Sequence, residues 1–562
     1  MKNLFKMTLV LVVAALAFTG CNCFKKMAKN PTAISVTCTP DVLVLNNGKV
    51  VADVTAEVPA KYFNKKAALK VTPALVYEGG MTKGNTLVLQ GEKIADNGLL
   101  VKNGENFSIK RHIEFNYKPE MQVSSLILIV EVKCKSGKCK EFTLINANTG
   151  DIIGAETSLS PAEYGLEIAK GVNVLQNDLD FSVAMKNASN NYKRVTTVVT
   201  KADIVYKINS SRVAKDAIET EELKNLKEGV ENNKNNERVA QSVYVSGYAS
   251  PDGPEKFNNK LSEKRSKSGL EAIGKLLADA GVNIDAAAYG EDWEGFQAAV
   301  AASDIADKEL ILQVLKMYSS SAEREKEIKN MAAVFKSLKS DVLPQLRRAQ
   351  VVNSADVTGW SDEEMIAFIK EGKVATLKLE ELLHIASVSE EVAEAALVEA
   401  VKSGDARAWN NLSLIYAKAG NYAKALECLN KVDNSVASEL SNNYALVYAA
   451  EGDLAKAESY VVSASAEAKA LIAAAKGDYT TAAQTLKSGY NAAIVNILNG
   501  NLAAAKQCIA SDNSAKADYL RAVIACKEGD TNGAKAQLNS AISKDESLKA
   551  KAAKDVNLAA IK

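Results

Sequence analysis

The chain has 562 residues with 69 Lys plus Arg against 68 Asp plus Glu, so a net charge of +1 supplies no long-range attraction to nucleic acid. Two histidines, and no GxSxG, HExxH or phosphate-binding glycine loop, leave few ways to build acid–base or nucleophilic chemistry; a non-enzymatic role without cofactor or metal is expected. Eight cysteines are too few and too scattered for a disulfide scaffold, and the length has room for three or four domains.

Lys2 and Lys6 precede an apolar stretch from Leu9 to Phe18. It is too short to span a bilayer, which needs about 20 residues, and it fits a signal peptide over 1–20. Ala17, Phe18, Thr19 and Gly20 running into Cys21 resemble a bacterial lipoprotein box. That resemblance implies an acylated Cys21 at the start of a linker over 21–30. The chain would then be anchored in outer-membrane lipid and face the periplasm, with surface exposure left open. An ordinary cleaved signal is the alternative.

Residues 31–157 are β-rich. Val50, Ala52, Val54, Ala56 and Val58 alternate with Val51, Asp53, Thr55 and Glu57, the period of a half-buried strand, and Leu126 to Val132 is a nearly continuous apolar strand. An antiparallel β-sandwich is expected there, followed by a β-rich connecting segment over 158–200. In VEVKCKSGKCKEFTL, Ser136 and Gly137 make a two-residue hairpin turn, which sets Cys134 opposite Cys139 on the closer, non-hydrogen-bonded kind of rung. A Cys134–Cys139 disulfide is expected; two free thiols are the alternative. A zinc site would need two more ligands, for which Cys38 and His112 are candidates.

From Val243 the chain reads strand, turn, helix, strand. Pro251, Asp252, Gly253 and Pro254 mark the turn, Ser262 reads as a helix cap, and Arg265 then falls in the first turn, where free N–H groups and a guanidinium suit a carboxylate. A solvated surface arginine is the bland reading. GYASPDG followed by FNNKLSEKRS resembles the peptidoglycan-binding domain of OmpA-like proteins, with Asn258, Leu261, Ser262 and Arg265 at the family spacing. The resemblance implies an α/β domain over 201–358 in which Arg265 and a turn aspartate hold the diaminopimelate of a peptidoglycan stem. At the aspartate position this chain has Ser250, and the nearest carboxylate is Asp252. A helical insertion over 293–343 and a helical linker over 359–404 complete the region. Glu291 and Asp292 are consecutive, point to opposite faces of a strand and do not form a catalytic pair.

The last segment, 405–562, is alanine-rich and helical. GNYAKA at 420, GDLAKA at 452, GDYTTA at 477, GNLAAA at 500 and GDTNGA at 529 share Gly, Asn or Asp, and Ala, recurring every 23 to 32 residues. A glycine ends one helix, Asn or Asp caps the next, and the alanine lets two helices approach closely. Trp409, Leu412, Tyr416 and Ala425 resemble a tetratricopeptide repeat, with Tyr448 and Ala457 repeating the spacing. That resemblance implies a solenoid whose groove takes an unidentified protein partner. The expected molecule is a multidomain α+β chain: β-sandwich, OmpA-like α/β domain, helical solenoid. Two functions compete: an outer-membrane lipoprotein that binds peptidoglycan and recruits a protein, and a scaffold or assembly factor that does not bind the wall.

Overall fold

A computed structural model describes residues 21, 23–24, 27, 33–46, 48–154, 157–305, 307–330, 336–432 and 437–562. The signal peptide expected over 1–20, most of the 21–30 linker and part of the 293–343 insertion lie outside the described residues. The chain divides into two compact units, one of Met1–Asn190 with Ala393–Lys562 and the other of Asn191–Val392. Among the described residues no helix is long and apolar enough to cross a membrane.

The first unit begins with strands β1 (Ser35–Asn46), β2 (Lys49–Val58), β3 (Ala67–Tyr77), β4 (Gly80–Lys83), β5 (Leu87–Gly91), β6 (Leu99–Val101), β7 (Phe107–Asn116), β8 (Ser124–Cys134), β9 (Thr143–Ile145), β10 (Leu166–Lys170) and β11 (Val172–Asn173). One sheet has the order β11-β1-β2-β7; the other runs β10-β8-β3-β5-β6, with β4 beside β3 and β9 beside β8. β2 alternates, burying Val50, Ala52, Val54 and Val58 while pairing with β7 from Lys49 opposite Asn116 to Val58 opposite Phe107. Leu43, Leu45, Ile113 and Phe115 of the first sheet share a core with Leu75, Leu126 and Ala169 of the second, which makes a sandwich.

The cysteines pair differently from the expected hairpin bridge. Cys21 bonds Cys139 and Cys23 bonds Cys134, with Cα separations of 5.6 and 5.7 Å. The Cys134 N–H donates to the Cys139 carbonyl at 2.6 Å, a bond that the expected non-hydrogen-bonded rung excludes. Their thiols turn instead into the apolar cluster of Val58, Phe63, Val132 and Ile145, where Cys21 and Cys23 meet them. Cys38 and His112 are not part of this group: the described cysteines whose sulfurs gather are Cys21, Cys134 and Cys139, with Cys23 bonded to Cys134. A disulfide at Cys21 and a thioether-linked lipid at the same sulfur exclude each other.

The 158–200 segment, expected as a β-rich connector, is strand only in part, in β10, β11 and the first residues of the strand Val195–Val205. After helix α1 (Pro161–Tyr164) and β10, β11 lies parallel to β1, and residues 174–190 then leave the sheets as an extended strap with two short 3₁₀ turns. Its hydrogen-bond partners are in the repeats, hundreds of residues further on.

Those repeats are five helical hairpins. After α2–α9, given below, they are α10 (Ala406–Lys418) with α11 (Tyr422–Leu429), α12 (Ala437–Ala450) with α13 (Leu454–Tyr460), α14 (Ala466–Ala475) with α15 (Tyr479–Thr485), α16 (Gly489–Leu498) with α17 (Leu502–Cys508), and α18 (Ala515–Glu528) with α19 (Thr531–Lys544). Each repeated glycine sits in the left-handed region, φ running from 75° at Gly420 to 89° at Gly477. Asn421, Asp453, Asp478, Asn501 and Asp530 each cap the following helix by accepting a backbone N–H. Ala425, Ala457, Ala482, Ala505 and Ala534 are fully buried where the helices touch.

The second unit is a two-layer α/β domain. Strands β12 (Val195–Val205), β13 (Val239–Ala249), β14 (Asn283–Glu291) and β15 (Arg348–Thr358) lie in the order β12-β15-β13-β14, with β13 and β14 parallel and the other pairs antiparallel. Helices α2 (Glu221–Asn232) and α3 (Glu255–Leu276) cover one face through Leu223, Leu226, Val230 and Ile273, with Leu277 just past the end of α3, against Ile204, Val243, Val245 and Val351. The insertion carries α4 (Trp293–Ala302), α5 (Lys308–Met317) and α6 (Ser321–Asn330) around a core of their own that includes Phe296, Ile311 and Ile328. The expected linker is split: α7 (Asp362–Lys370) and α8 (Leu379–Val388) belong to this unit, and α9 (Ala393–Ala400) begins the return of the first.

Candidate functional sites: a closed arginine cleft and a filled repeat groove

In the second unit the motif residues converge, but Arg265 is not at a helix start. Helix α3 begins at Glu255, directly after Pro254, whose carbonyl accepts the N–H groups of Phe257 and Asn258. Ser262 is therefore interior; its hydroxyl donates to the Asn259 carbonyl and accepts the Gly290 N–H at 3.0 Å. The free N–H groups expected beside Arg265 are absent, because its turn is already hydrogen-bonded helix. Nor is Arg265 a solvated surface residue, being 1% exposed.

Its guanidinium is occupied by main chain. Nε donates to the Ser210 carbonyl at 3.0 Å, one terminal nitrogen to that of Tyr248 at 2.9 Å and the other to that of Lys207 at 3.4 Å, with the Tyr206 ring 5.3 Å away. No carboxylate forms an ion pair with it among the described residues. Burial without such a partner pulls Arg265 down to about 10, so it stays charged at neutral pH.

The turn residues serve one another. The Ser250 hydroxyl donates to Asp252 at 2.6 Å, and the Asn258 amide donates to the carbonyls of Ser250 and Gly253 and to Glu291 at 2.8 Å. Asp252 faces Arg347 at 3.6 Å, with the two side chains 17% and 12% exposed, and the buried Nε of Arg347 has no hydrogen-bond partner. The next residue, Arg348, is bound instead to Asp203 and Asp292, each at 2.8 Å.

In the first unit the groove of the repeats is filled by the strap. Asn411 accepts the Ala188 N–H at 2.7 Å and donates to the Ala188 carbonyl at 3.0 Å. Asn443 does the same for Lys186 at 2.8 and 2.9 Å, and Asn491 for Asp180 at 2.8 and 2.7 Å. Asn410 adds a bond to the Lys186 carbonyl and Asn442 one to that of Ala184, both at 2.9 Å. The strap continues along the groove through Lys551 to Asp178 and Asn557 to Asn173, so it runs antiparallel to the order of the repeats. Leu175, Leu179, Phe181 and Met185 pack into the repeat core. The groove expected to take an outside protein thus holds this chain. A signal for it was present: the pairs Asn410–Asn411 and Asn442–Asn443 recur 32 residues apart, the same interval as Gly420 and Gly452.

Comparison with known proteins agrees for the repeats. Residues 406–432, the α10–α11 hairpin, match the tetratricopeptide repeat family. A solved tetratricopeptide repeat protein from Parabacteroides merdae is similar at 16% identity over 35% of this chain and 96% of its own, with a TM-score of 0.28. No curated protein matches the chain. The C-terminal segment is a helical repeat whose first hairpin matches the tetratricopeptide repeat family.

Proposed function

We propose that this protein is a non-enzymatic scaffold of the bacterial envelope that engages protein partners through its repeat region and does not hold peptidoglycan in the manner of OmpA-like domains. The observation that carries this reading is Arg265, closed off by three backbone carbonyls where a ligand carboxylate would need it free. Ser250 in place of an aspartate removes the second charge. The signal segment and two buried disulfides support an oxidising, extracytoplasmic compartment. Attachment through an acylated Cys21 would leave Cys139 without its partner, and the intact mass of the mature protein decides between lipid and disulfide.

A second reading keeps the wall as partner. Asp252 and Arg347 set a carboxylate beside an incompletely bonded guanidinium, the two charges a zwitterionic stem amino acid needs. Sedimentation of the oxidised chain from Cys21 to Lys562, which keeps both disulfides, with insoluble sacculi tests both. Wild type remaining in the supernatant is the scaffold outcome. Pelleting that is lost in Asp252→Asn and Arg347→Ala, each checked for native circular dichroism, would establish wall binding at the displaced pair.

A further inference from the structure

We infer that the repeat groove is a peptide site of the main-chain-reading type, that residues Ala184–Ala188 are its built-in ligand, and that an extended segment of a protein partner takes their place. The inference rests on the scaffold reading only in naming what the repeats engage.

The first argument is what the asparagines read. Bidentate pairs at Asp180, Lys186 and Ala188 contact an N–H and a C=O of one residue and no side chain. The Lys186 side chain points to solvent while its main chain is held at both ends. Any extended peptide with small residues four positions apart, as Ala184 and Ala188 are here, and an outward-facing side chain midway between them offers the same bonds.

The second argument is that the tetrad is organised for this. Asn410, Asn411, Asn442 and Asn443 are 0 to 5% exposed inside an alanine-rich core, where burying an amide is unfavourable unless every bond is made. They orient one another: Asn443 donates to Asn410 at 2.9 Å, Asn410 to Asn411 at 3.1 Å and Asn442 to Asn443 at 3.2 Å. Asn442 also accepts the Ser465 N–H at 2.9 Å, which ties the tetrad to the next repeat.

The third argument is that the strap is unevenly held. Its first part buries Leu175, Leu179 and Phe181, and it is pinned by Tyr479 to Gln176 and Lys551 to Asp178. From Ala184 to Ala188 the only large buried side chain is Met185. Opening can therefore begin at the Ala188 end while the Leu175–Phe181 end stays anchored. The tethered strap competes at an effective concentration on the order of millimolar, so an incoming peptide binds the unaltered chain weakly and binds well once the strap is loosened.

Two measurements on the full chain test this. Hydrogen exchange should show the Lys186 and Ala188 amides opening at least tenfold faster than those of Ala445–Val447 in α12. Exchange of both sets at one rate would make the strap an integral part of the fold and overturn the inference, leaving the scaffold reading to the sacculi result. In the second, a fluorescent synthetic peptide of residues 179–190 is titrated into wild type and Lys186→Pro, which removes the N–H that Asn443 accepts but keeps the groove. Binding at least tenfold tighter to Lys186→Pro, abolished when Asn411→Ala and Asn443→Ala are added, is the expected result. A natively folded Lys186→Pro that does not bind the peptide overturns the inference; if that variant does not fold, hydrogen exchange on wild type decides alone.

Discussion

Arg265 shows how one side chain can carry a family motif and a different job. Its three carbonyl partners lie in the loop after β12 and in β13, so the guanidinium ties the main chain of the second unit together. Arg265→Ala removes three hydrogen bonds made by a buried guanidinium to half-buried or exposed main chain, of which the Lys207 carbonyl keeps a second donor in the Ser210 N–H, and is expected to destabilise this unit by about 2–4 kcal/mol. Urea unfolding followed through Trp293 and Trp360 measures it; a loss below about 1 kcal/mol would mark Arg265 as a ligand group and not a structural one. His112 makes a smaller prediction. Its Nδ1 lies 2.8 Å from Asp53 and its Nε2 3.4 Å from Glu114, and the Asp53 hydrogen bond raises its pKa above 6.5. A raised folded value favours folding below the unfolded value and loses that contribution as pH rises through the folded one. The ring is mostly exposed, so the effect on stability is small. An NMR titration should place the His112 midpoint above 6.5 in wild type and lower in Asp53→Asn; equal midpoints would contradict the pairing.

At the scale of elements, helix α3 reaches β13 at Gly247, where an added Cβ would stand 2.5 Å from the Ser266 amide nitrogen and closer still to the Ser262 carbonyl. Both obstacles are backbone, which cannot rotate aside. Gly247→Ala is expected to shift α3 outward and to lower stability by about 1–3 kcal/mol, with the chemical shifts of Ser262 and Ser266 moving most. The elements themselves differed in how far they could be read. The repeats were legible because Gly, cap and Ala each answer to a local rule that holds whatever surrounds the hairpin. The start of α3 was not: Ser262 has the side chain of a cap, but Pro254 had already begun the helix two turns earlier. The strap was opaque because its hydrogen bonds come from the groove asparagines and not from a neighbouring strand, so no period-two pattern was required of it. The asparagine pairs were visible, but their meaning depends on a segment far away in the chain.

At the scale of the molecule, the two disulfides close nested loops, with sequence separations of 118 and 111. In a chain-entropy account the first such loop is worth roughly 4–5 kcal/mol, and the second adds little because its ends are already together. Removing either bridge as a pair, Cys21→Ser with Cys139→Ser or Cys23→Ser with Cys134→Ser, should therefore lower stability far less than removing both. Calorimetry checks this, and peptide mapping without reductant should recover Cys21 joined to Cys139; a fragment joining Cys134 to Cys139 would restore the hairpin bridge. The expected β-sandwich rested on alternation that any half-buried sheet must show, whereas the sulfur pairing depended on which rung the hairpin closed, a matter of one hydrogen bond.

The strap also sets a timetable. Ala188 is synthesised 223 positions before Asn411, and Asn173 is synthesised 384 positions before Asn557. At about 5–20 residues per second, the wait is roughly 10–45 s for the first contact and 20–80 s for the last. Until the repeats follow, Leu175, Leu179, Phe181 and Met185 lack the groove that covers them, while the second unit, Asn191–Val392, is already complete in sequence. A chain cut short before the final repeats thus keeps a bare hydrophobic ribbon, a form that the proteases of its compartment can tell from the finished product.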